Sequence, residues 1–316
     1  MAIDPRPSAR DYRGYGGNPP PVRWPGGQRL ALSVVVNFEE GAELSLSHGD
    51  ERNEHLYEIS EPVDGLPDPC MESHFAYGTR AGWPRIRALL KRYGVRATVN
   101  ACGRAVSISP WLAAEASIDG HEVCSHGWRW ERQVHMPEAE EREVIGKTVA
   151  AITSAVGSPP VGWHTRSATS PNTRRLLVEH GGFLYDSNAY DDDVPYIETV
   201  AGRSHVVLPY AFDTNDMRFF NNGGFIFAED FARYCCDAFD QLYEESAAVP
   251  RMMTVGLHLR IIGRPGRTAG FERFLRHATA RSGVWFARRD EIAHAWRAGV
   301  GLPRWTPIPP QSEFKG

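Results

Sequence analysis

The feature that most limits the folds open to this chain is a regular alternation of short apolar segments with longer segments that have helical character. Residues 30–38 form a valine-rich apolar run, which is typical of a β-strand buried on both faces. A helix is predicted over residues 84–93, where Gly94 ends it, and a second strand over residues 95–101. Because parallel strands need a crossover connection, usually a helix, this alternation predicts a parallel β/α architecture.

The alternation continues over most of the chain. The other predicted strands are apolar runs bounded by turn residues, at 121–125, 161–165, 183–186, 206–212, 252–259 and 284–287. The other predicted helices cover residues 110–119, 137–155, 171–180, 228–246, 271–280 and 290–298. We therefore predict an α/β fold with a single β/α barrel over residues 30–300, an extended arm over 1–29 and a tail over 301–316. Residues 41–78 are polar, and we predict an irregular functional loop there.

Composition and charge argue against several classes of partner. The chain has 316 residues, 42% of them apolar, and its 35 Lys and Arg against 39 Asp and Glu give a net charge of −4. A mildly acidic chain without a basic block does not favour nucleic acid or an anionic membrane, so the predicted partner is a small molecule. The five cysteines form no metal-binding or disulfide pattern, and no hydrophobic leader precedes the first strand. We therefore predict a cytoplasmic protein with free thiols.

Ionisable and aromatic residues collect where the predicted strands end. These residues are Glu39, Glu40, His126, Trp128, Trp130, His164, Arg166, His258 and Arg260. In a β/α barrel the C-terminal strand ends surround one cavity, so residues far apart in sequence converge there. Arg166 and Arg260 could bind an anionic or carbonyl-rich substrate, or they could pair with acidic groups at the surface. The sequence thus predicts one active site at this edge of the barrel.

Several common catalytic motifs are absent. The chain has no G-x-S-x-G nucleophile elbow, and Gly146-Lys147-Thr148 lacks the upstream glycine of a phosphate-binding loop. His121 and His126 are one residue too far apart for a zincin helix, and they lie on a predicted strand. No glycine-rich dinucleotide motif follows the first strand. These absences argue against serine hydrolases, P-loop NTPases and dinucleotide oxidoreductases.

The residues at the strand ends allow a catalytic and a structural interpretation. Glu39 beside apolar walls is a candidate general base, because desolvation raises the pKa of a carboxyl toward neutral pH; a solvated acidic turn is the alternative. His126 and His258 are candidate catalytic groups or hydrogen-bonded structural residues. Trp128 and Trp130 could form the wall of a site for a flat ligand, or they could belong to the core.

The order of these motifs resembles that of the NodB-type polysaccharide deacetylases. The strings that carry the resemblance are Asn37-Phe38-Glu39-Glu40-Gly41, Ser125-His126-Gly127-Trp128-Arg129-Trp130, Gly162-Trp163-His164-Thr165, Tyr185-Asp186-Ser187-Asn188 and Gly256-Leu257-His258. Longer strings, among them residues 77–82 and 213–219, resemble the allantoinase-like branch of the family, which works without a metal. The resemblance runs from about Tyr12 to about Trp296 and implies the family's distorted β/α barrel.

The resemblance also implies roles for individual residues. Glu39 and Glu40 match the two acidic residues of the family's first motif, the base and a metal ligand, and His258 matches the general acid. His126 matches the first histidine ligand, whereas Trp130 stands where the second is expected. A site that keeps only Glu40 and His126 as protein ligands should bind Zn²⁺ poorly. We therefore predict that no metal cofactor is needed, with a Zn²⁺ site as the alternative.

Together these observations predict a hydrolase of non-peptide C–N bonds that opens a small cyclic amide or ureide by general acid–base catalysis. Glu39 would deprotonate water, and His258 would protonate the leaving nitrogen. The predicted substrate-binding residues are Glu40, His126, Trp128, Trp130, His164 and Arg166. The alternatives are a metal-dependent N-deacetylase of polysaccharides or chitooligosaccharides, and an inactive barrel kept as a binding protein. By analogy with the family, a homo-oligomer is also expected.

Overall fold

The sheet is built around strand β1 (Leu30–Phe38), whose nine residues are all buried, as expected for a valine-rich run. The structure is a computed structural model that describes residues 11–55, 61–166 and 168–308. The other strands of the described chain are β2 (Thr98–Ala101), β3 (Glu122–Ser125), β4 (Gly162–Trp163), β5 (Tyr185–Asp186), β6 (Tyr196–Val200), β7 (Arg203–Val207), β8 (Arg251–His258) and β9 (Val284–Phe286). They form one sheet in the order β6-β7-β5-β4-β3-β2-β1-β8, with β9 beside the start of β1.

The sheet is parallel except for one pair, and it curls into an open, distorted barrel. Parallel pairing runs from β8 through β1 to β5 and on to β7. In the described residues the two ends of the sheet meet only through a bridge between Asn215 and Gly256. The predicted α/β barrel architecture is therefore confirmed. Because the strands are parallel, their C-terminal ends share one edge of the sheet.

Helices cover the outside of the sheet. In the described residues they are α1 (Pro69–Tyr77), α2 (Trp83–Tyr93), α3 (Gly103–Ile108), α4 (Pro110–Ile118), α5 (Glu138–Val156), α6 (Thr173–His180), α7 (Ala228–Glu245), α8 (Leu259–Ile262), α9 (Pro265–Thr279) and α10 (Arg289–Gly299). Gly94 and Gly157 end α2 and α5 with φ angles of 64° and 83°, the left-handed C-caps that the sequence predicts. None of the described helices has both the length and the apolar character that a membrane span requires.

The segment at residues 41–78 is more ordered than predicted. Its second half contains α1, whose N-cap residue Asp68 accepts hydrogen bonds from the N–H groups of Cys70 and Met71. A π-helical turn, Gly78–Gly82, then joins α1 to α2. The predicted irregular loop is therefore wrong for this half, because the Asp-Pro start of α1 outweighs the polar composition of the segment. Turns of the π type occur often at functional sites.

The sequence also misses an antiparallel hairpin. β6 and β7 pair in antiparallel register around a two-residue turn. Ala201 and Gly202 in that turn have φ angles of 49° and 74°, as a type I′ hairpin turn requires. The strand predicted at residues 206–212 therefore begins earlier, at Arg203, and ends at Val207. The residues after Val207 are not part of the strand and follow the C-terminal edge of the sheet.

A buried arginine connects several segments inside the barrel through hydrogen bonds. Arg289, the first residue of α10, is 1% exposed. It donates hydrogen bonds to Ser187 Oγ, Thr254 Oγ1 and the carbonyl oxygens of Leu208 and Pro209. These acceptors lie on or after three different strands, so one planar cation fixes their relative positions. Arg289 thereby holds the segment that leads to Tyr210, a residue near the candidate site.

Candidate active site

Glu39, the first residue after β1, lies at the centre of a group of charged side chains. Its carboxylate is almost fully buried, and Oε2 accepts a hydrogen bond of 2.8 Å from Nη1 of Arg260. Oε1 lies 3.4 Å from Nε2 of His126 and 3.8 Å from Nε of Arg166. Nε2 of His258 lies 3.9 Å from Oε2. Four of these five residues follow or end the strands β1, β3, β4 and β8, and Arg260 lies in α8; the five are called the charged cluster below.

Two opposing effects set the charge of Glu39. Burial raises the pKa of its carboxyl and is the largest single effect. The charge of His258, the hydrogen bond from His126 and the charges of Arg260 and Arg166 act in the other direction, and together they hold the pKa well below its ordinary value. The expectation that burial would bring this pKa toward neutral is therefore wrong. Glu39 is a carboxylate at neutral pH because four cationic or hydrogen-bonding groups surround it.

His258, the last residue of β8, is oriented by a buried aspartate. Its Nδ1–H donates a hydrogen bond of 2.6 Å to Oδ1 of Asp216. Oδ2 of Asp216 accepts the backbone N–H groups of His258 and Ile262, at 2.7 and 3.0 Å. Asp216 is fully buried, so its position is fixed by these three contacts. With Nδ1 engaged in this way, Nε2 faces Glu39 and is the nitrogen available for proton transfer.

Sequence reasoning did not identify Asp216 as a residue of the site. It lies in the string at residues 213–219 that contributed to the family resemblance, shortly after the predicted strand 206–212, but no role was assigned to it. The sequence signal that was available is the pair Asn215-Asp216, at the start of a short helix. The side chain of Asn215 accepts from the N–H of Met217 and begins the short 3-10 helix Asp216–Phe219, which turns the aspartate inward.

His126 and His164 form a pair of imidazoles beside Glu39. Nδ1 of His126 lies 2.5 Å from the carbonyl oxygen of His164, which can only accept, so Nδ1 carries a proton and Nε2 faces Glu39. The rings of His164 and Tyr210 have centroids 4.4 Å apart, and Nδ1 of His164 lies 3.0 Å from Nδ2 of Asn100. Burial lowers the pKa of His164 well below its ordinary value, so this imidazole is neutral at pH 7. Since Nδ1 accepts from Asn100, the proton of His164 is on Nε2.

His164 also contacts a tyrosine that lines a cavity. Its Nε2 lies 3.4 Å from the hydroxyl oxygen of Tyr190, and the ring of Tyr190 stacks on Phe212 with centroids 3.9 Å apart. Tyr190, Tyr210 and Phe212 line a cavity of about 420 Å³ between the end of β7 and the start of β8. The lining does not include Glu39. The sequence carried no signal for these aromatic residues, because they lie on a segment without a predicted motif.

Trp130 holds the two arginines of the charged cluster in place. The guanidinium carbon of Arg166 lies 3.5 Å above its ring, and that of Arg260 lies 5.1 Å from the ring centroid. Phe75 packs against the indole edge to face, with centroids 5.4 Å apart. Such cation–π contacts stabilise a charge that has lost part of its hydration. Trp130 is therefore part of the site, and its face is directed to the cations beside Glu39.

Glu40 lies next to the charged cluster, with Oε1 3.9 Å from Nη1 of Arg260, the nitrogen that also binds Glu39. Its Oε2 accepts the backbone N–H of Glu39 at 3.1 Å, and Oε1 packs so closely against Gly78 that a Cβ there would lie 2.2 Å from it. Burial raises the pKa of Glu40 to about 7; the charge of Arg260 opposes this shift and that of Glu39 adds to it. Glu40 thus titrates near neutral pH beside the guanidinium group that binds Glu39.

A Glu40→Gln variant is expected to change how stability depends on pH. As pH rises above 4.5 the unfolded chain loses the Glu40 proton while the folded chain keeps it up to about 7, so the wild type loses stability over this interval. The loss is up to about 3 kcal/mol. Gln does not titrate. Chemical denaturation should therefore show that the free energy of unfolding of the variant, relative to that of the wild type, is higher at pH 8 than at pH 5. A stability difference that is the same at both pH values would contradict this, and Glu229→Gln at an exposed site is the control.

Trp128 is the predicted site residue that the structure places elsewhere. Its ring packs on the backbone of Gly103, where an added Cβ would lie 2.7 Å from Cε3. Nζ of Lys147 lies 4.8 Å from the ring centroid, on the outer side. Trp128 therefore packs between α3 and α5, because Gly127, with a φ angle of 78°, breaks the extended conformation after His126. Its prediction as a substrate-binding residue is corrected accordingly.

Replacing Trp128 is expected to affect stability and not catalysis. Trp128→Phe should lower the free energy of unfolding by about 1–3 kcal/mol, because it leaves a cavity over Gly103 and loses the contact with Lys147. We expect kcat and KM to stay within about twofold of the wild type, since the ring does not reach the charged cluster. A tenfold rise in KM would contradict this expectation and indicate that Trp128 binds the substrate.

The residues of the site do not fit a metal ion. In the described ranges no three His, Cys, Asp or Glu side chains are grouped so that they could hold one. Trp130 offers no ligand atom, Glu40 packs against Gly78, and the carboxylate of Glu39 is bound by Arg260. A tetrahedral Zn²⁺ site needs at least three protein ligands, usually nitrogen or thiolate donors. In this arrangement guanidinium groups supply the positive charge next to Glu39.

Comparison with known proteins points to one family. Residues 64–184 match the family model described as polysaccharide deacetylase. Over 311 residues the chain is 38% identical to a putative polysaccharide deacetylase of Schizosaccharomyces pombe, and the alignment covers 92% of this chain and 97% of that protein.

Two solved structures are similar over nearly the whole chain. One is a probable polysaccharide deacetylase from Pseudomonas aeruginosa PAO1, with 46% identity, a TM-score of 0.89 and coverage of 94% of this chain and 100% of that one. The other is PuuE allantoinase, with 45% identity, a TM-score of 0.88 and coverage of 92% and 98%. The names of these two proteins refer to different substrates. Overall similarity therefore does not identify the substrate, which has to be inferred from the side chains of the site.

Proposed function

The chain belongs to the polysaccharide deacetylase family and is an amidohydrolase, and we propose that its substrate is a small cyclic amide or ureide whose ring it opens without a metal. The observation that carries this proposal is Trp130 with Arg166 stacked on it, where a metal ligand of a sugar deacetylase would be expected. Arg166 and Arg260 concentrate positive charge beside Glu39. Two guanidinium groups in one buried site suit a compact substrate rich in carbonyl groups.

In the proposed reaction Glu39 acts as the general base. A water molecule next to its carboxylate gives up a proton to Glu39 while its oxygen attacks the carbonyl carbon of the ring. Arg260 holds Oε2 of Glu39 through a hydrogen bond of 2.8 Å, so Oε1, with its longer contacts to His126 and Arg166, is the oxygen that takes the proton. The proton moves within a dry environment, since the side chain of Glu39 is only 4% exposed.

The negative charge that develops on the carbonyl oxygen needs donors that are already in place. Arg166 is held by its stacking on Trp130, and it is the more exposed guanidinium of the two. We assign it the role of binding the developing oxyanion, with Nε2 of His126 beside it. Donors fixed in advance at such a position are commonly the largest source of rate enhancement in acyl transfer.

His258 completes the reaction as the general acid. When the C–N bond breaks, the imidazolium of His258 gives the Nε2 proton to the leaving nitrogen, and the ring opens to an amide or amine nitrogen and a carboxylic acid, which loses the second proton of the water to solvent. The proton that Glu39 took from water then returns His258 to its starting state through a water molecule, since the two side chains are 3.9 Å apart. Asp216 is a positioning residue that stabilises the imidazolium.

A substrate panel tests this proposal directly. Hydantoins, allantoin, cyclic imides and N-acetylated chitooligomers are offered to the purified enzyme, with and without a chelating agent, and the bound metal content is measured. We expect turnover of ring amides or ureides that the chelator does not change. Release of acetate from chitooligomers by enzyme with stoichiometric zinc would replace the proposal with the metal-dependent alternative.

A sugar N-deacetylase is the second candidate, supported by the names of two similar proteins. One surface feature favours it. Tyr190 and Phe212 are stacked and are 46% and 65% exposed at the side of the site, an arrangement on which a sugar ring can pack. The same panel decides between the candidates, because only the second predicts that acetate is released.

A further inference from the structure

A second cavity lies at the opposite end of the barrel from the charged cluster. It has a volume of about 320 Å³ and lies between the start of β7, the end of α6, the end of α10 and residues 302–308. Because β7 is parallel to β5 and so to the rest of the sheet, its first residue, Arg203, is at the N-terminal edge. Glu39 lies at the C-terminal edge, so this cavity is separate from the candidate active site.

Positive charge dominates the lining of this cavity. Arg203, Arg297 and Arg304 line it, and no Asp or Glu does. The hydrogen bonds that Arg203 and Arg297 make within the described ranges go to carbonyl oxygens and not to carboxylates, although the chain as a whole has a net charge of −4. His205 also lines the cavity, but its Nε2 is bound to Asp186 at 3.0 Å. The cavity therefore carries an excess of cationic charge that the described protein does not neutralise.

Arg297 is the most buried cation of this group. It is 6% exposed, and its guanidinium donates only to carbonyl oxygens, to that of Ser204 at 2.9 Å and that of Pro303 at 3.2 Å. Burial lowers the pKa of Arg297, and no carboxylate of the residues that the structure describes opposes this effect. A buried charge without a counter-charge is costly, so such groups are normally paired. The two carbonyl groups orient Arg297 but leave its charge uncompensated.

The remaining walls of the cavity are apolar. Phe183 and Trp305 provide aromatic surface, and Val178, Leu302 and Ile308 provide aliphatic surface. Arg203 is fixed by a hydrogen bond of 3.1 Å from Nη1 to the carbonyl oxygen of Val178, which leaves its other N–H groups available. The volume lies at the lower end of the range of small-molecule sites. The cavity thus combines oriented guanidinium groups with a nonpolar wall.

We propose that this cavity binds a small anionic molecule that carries a carboxylate or phosphate group next to a nonpolar part. The guanidinium groups of Arg203, Arg297 and Arg304 would hold the anionic group, since planar guanidinium matches the geometry of both oxyanions. Trp305 would pack on the nonpolar part. Binding there joins the C-terminal residues 302–308 to the barrel, so the ligand would stabilise the folded enzyme.

Thermal unfolding and calorimetry test the proposal with inorganic phosphate and citrate, each against sodium chloride at equal ionic strength. We expect one of the two anions to raise Tm and to bind with a Kd of about 1 mM or tighter. Arg203→Gln and Arg304→Gln, at exposed positions, should each weaken that binding at least about tenfold. Arg233→Gln on α7, whose side chain is 81% exposed, is the control and should change nothing. Turnover at the charged cluster should be the same in all four proteins.

Three results would overturn the proposal. One is a Tm that neither anion raises beyond the effect of chloride. The second is equal binding by the wild type and by the Arg203→Gln/Arg304→Gln double variant, which would place the anion elsewhere. The third is binding that appears only after residues 309–316 are removed, because the chain's own carboxylates would then be the occupant. None of these results depends on which substrate the active site hydrolyses.

Discussion

Glu39→Gln is expected to lower kcat by about 10²–10⁴-fold, the contribution typical of a positioned general base. Gln has the shape of Glu and can still accept the hydrogen bond from Arg260, but it cannot take a proton from water. The substitution also removes the counter-charge of Arg260, so we expect a loss of stability of about 3–5 kcal/mol, typical of a broken buried ion pair. Circular dichroism and kinetics below the new Tm separate the catalytic effect from the loss of stability.

A matched control is available in the same sheet. Glu122 is also a buried glutamate, but it lies at the N-terminal end of β3 and is bonded to Thr98 and Tyr185. Burial raises the pKa of Glu122 to about 8, so Glu122→Gln replaces one neutral side chain by another at pH 7. We expect Glu122→Gln to keep kcat within a few-fold of the wild type. A Glu39→Gln enzyme with the same activity as Glu122→Gln would remove Glu39 from the mechanism.

The pH dependence of the wild-type enzyme gives a second check on Glu39. Because its pKa lies well below the ordinary 4.5, the carboxylate form persists into acid solution. The decline of kcat/KM that follows protonation of the base should therefore begin only below pH 4.5, provided that the protein remains folded. A decline with a midpoint near pH 6 would instead match the raised pKa that burial alone produces.

Asp216→Asn is expected to cause the second large effect, a decrease of kcat by about two to four orders of magnitude, comparable to the loss when the aspartate of a catalytic His–Asp pair is changed to Asn. In the variant the side-chain oxygen must accept the N–H groups of His258 and Ile262, so the NH₂ group faces Nδ1 of His258. Nδ1 can then only accept. The imidazolium thereby loses both the hydrogen bond that orients it and the negative charge that stabilises it.

The split between kinetic constants tells a positioning role from a general structural one. We expect KM to change little, because Asp216 is fully buried and does not face the substrate. Asp213→Asn is the matched control: it lies three residues earlier, is exposed, and its carboxylate bonds to the hydroxyl of Tyr234. Equal losses of kcat in both variants, or a loss that appears in KM and not in kcat, would contradict the role assigned to Asp216.

The fold could be predicted from local sequence because its signals are local. A strand buried on both faces needs a continuous apolar run, and residues 30–38 have one. A helix that ends at a glycine in left-handed conformation is visible in the same way at Gly94. The hairpin at β6 and β7 was missed because its polar, half-exposed strands carry no apolar run. The order of strands and helices also indicated which residues follow strand ends.

The contacts that make the site work depend on distances across the fold. Arg260 and Glu39 are 221 positions apart, and Asp216 and His258 are 42 positions apart. No local pattern reports such a distance, or the side of the sheet to which the ring of Trp128 turns. The sign of the pKa shift of Glu39 shows the reason most clearly. Burial can be read from a hydrophobic run, but the charges that outweigh it come from three other segments of the chain.

The amino-acid sequence by itself determined the α/β barrel and the gathering of acidic and basic residues at one edge of the sheet, because hydrophobic periodicity and parallel strand order are properties of the chain. Only the tertiary structure decided which of those residues touch. In the folded chain Trp128 packs away from the charged cluster, Asp216 lies beside His258, and Glu39 stays ionised. The ionisation of Glu39 could not be read from the sequence, because electrostatic energy depends on the positions of atoms in space and not on their separation along the chain.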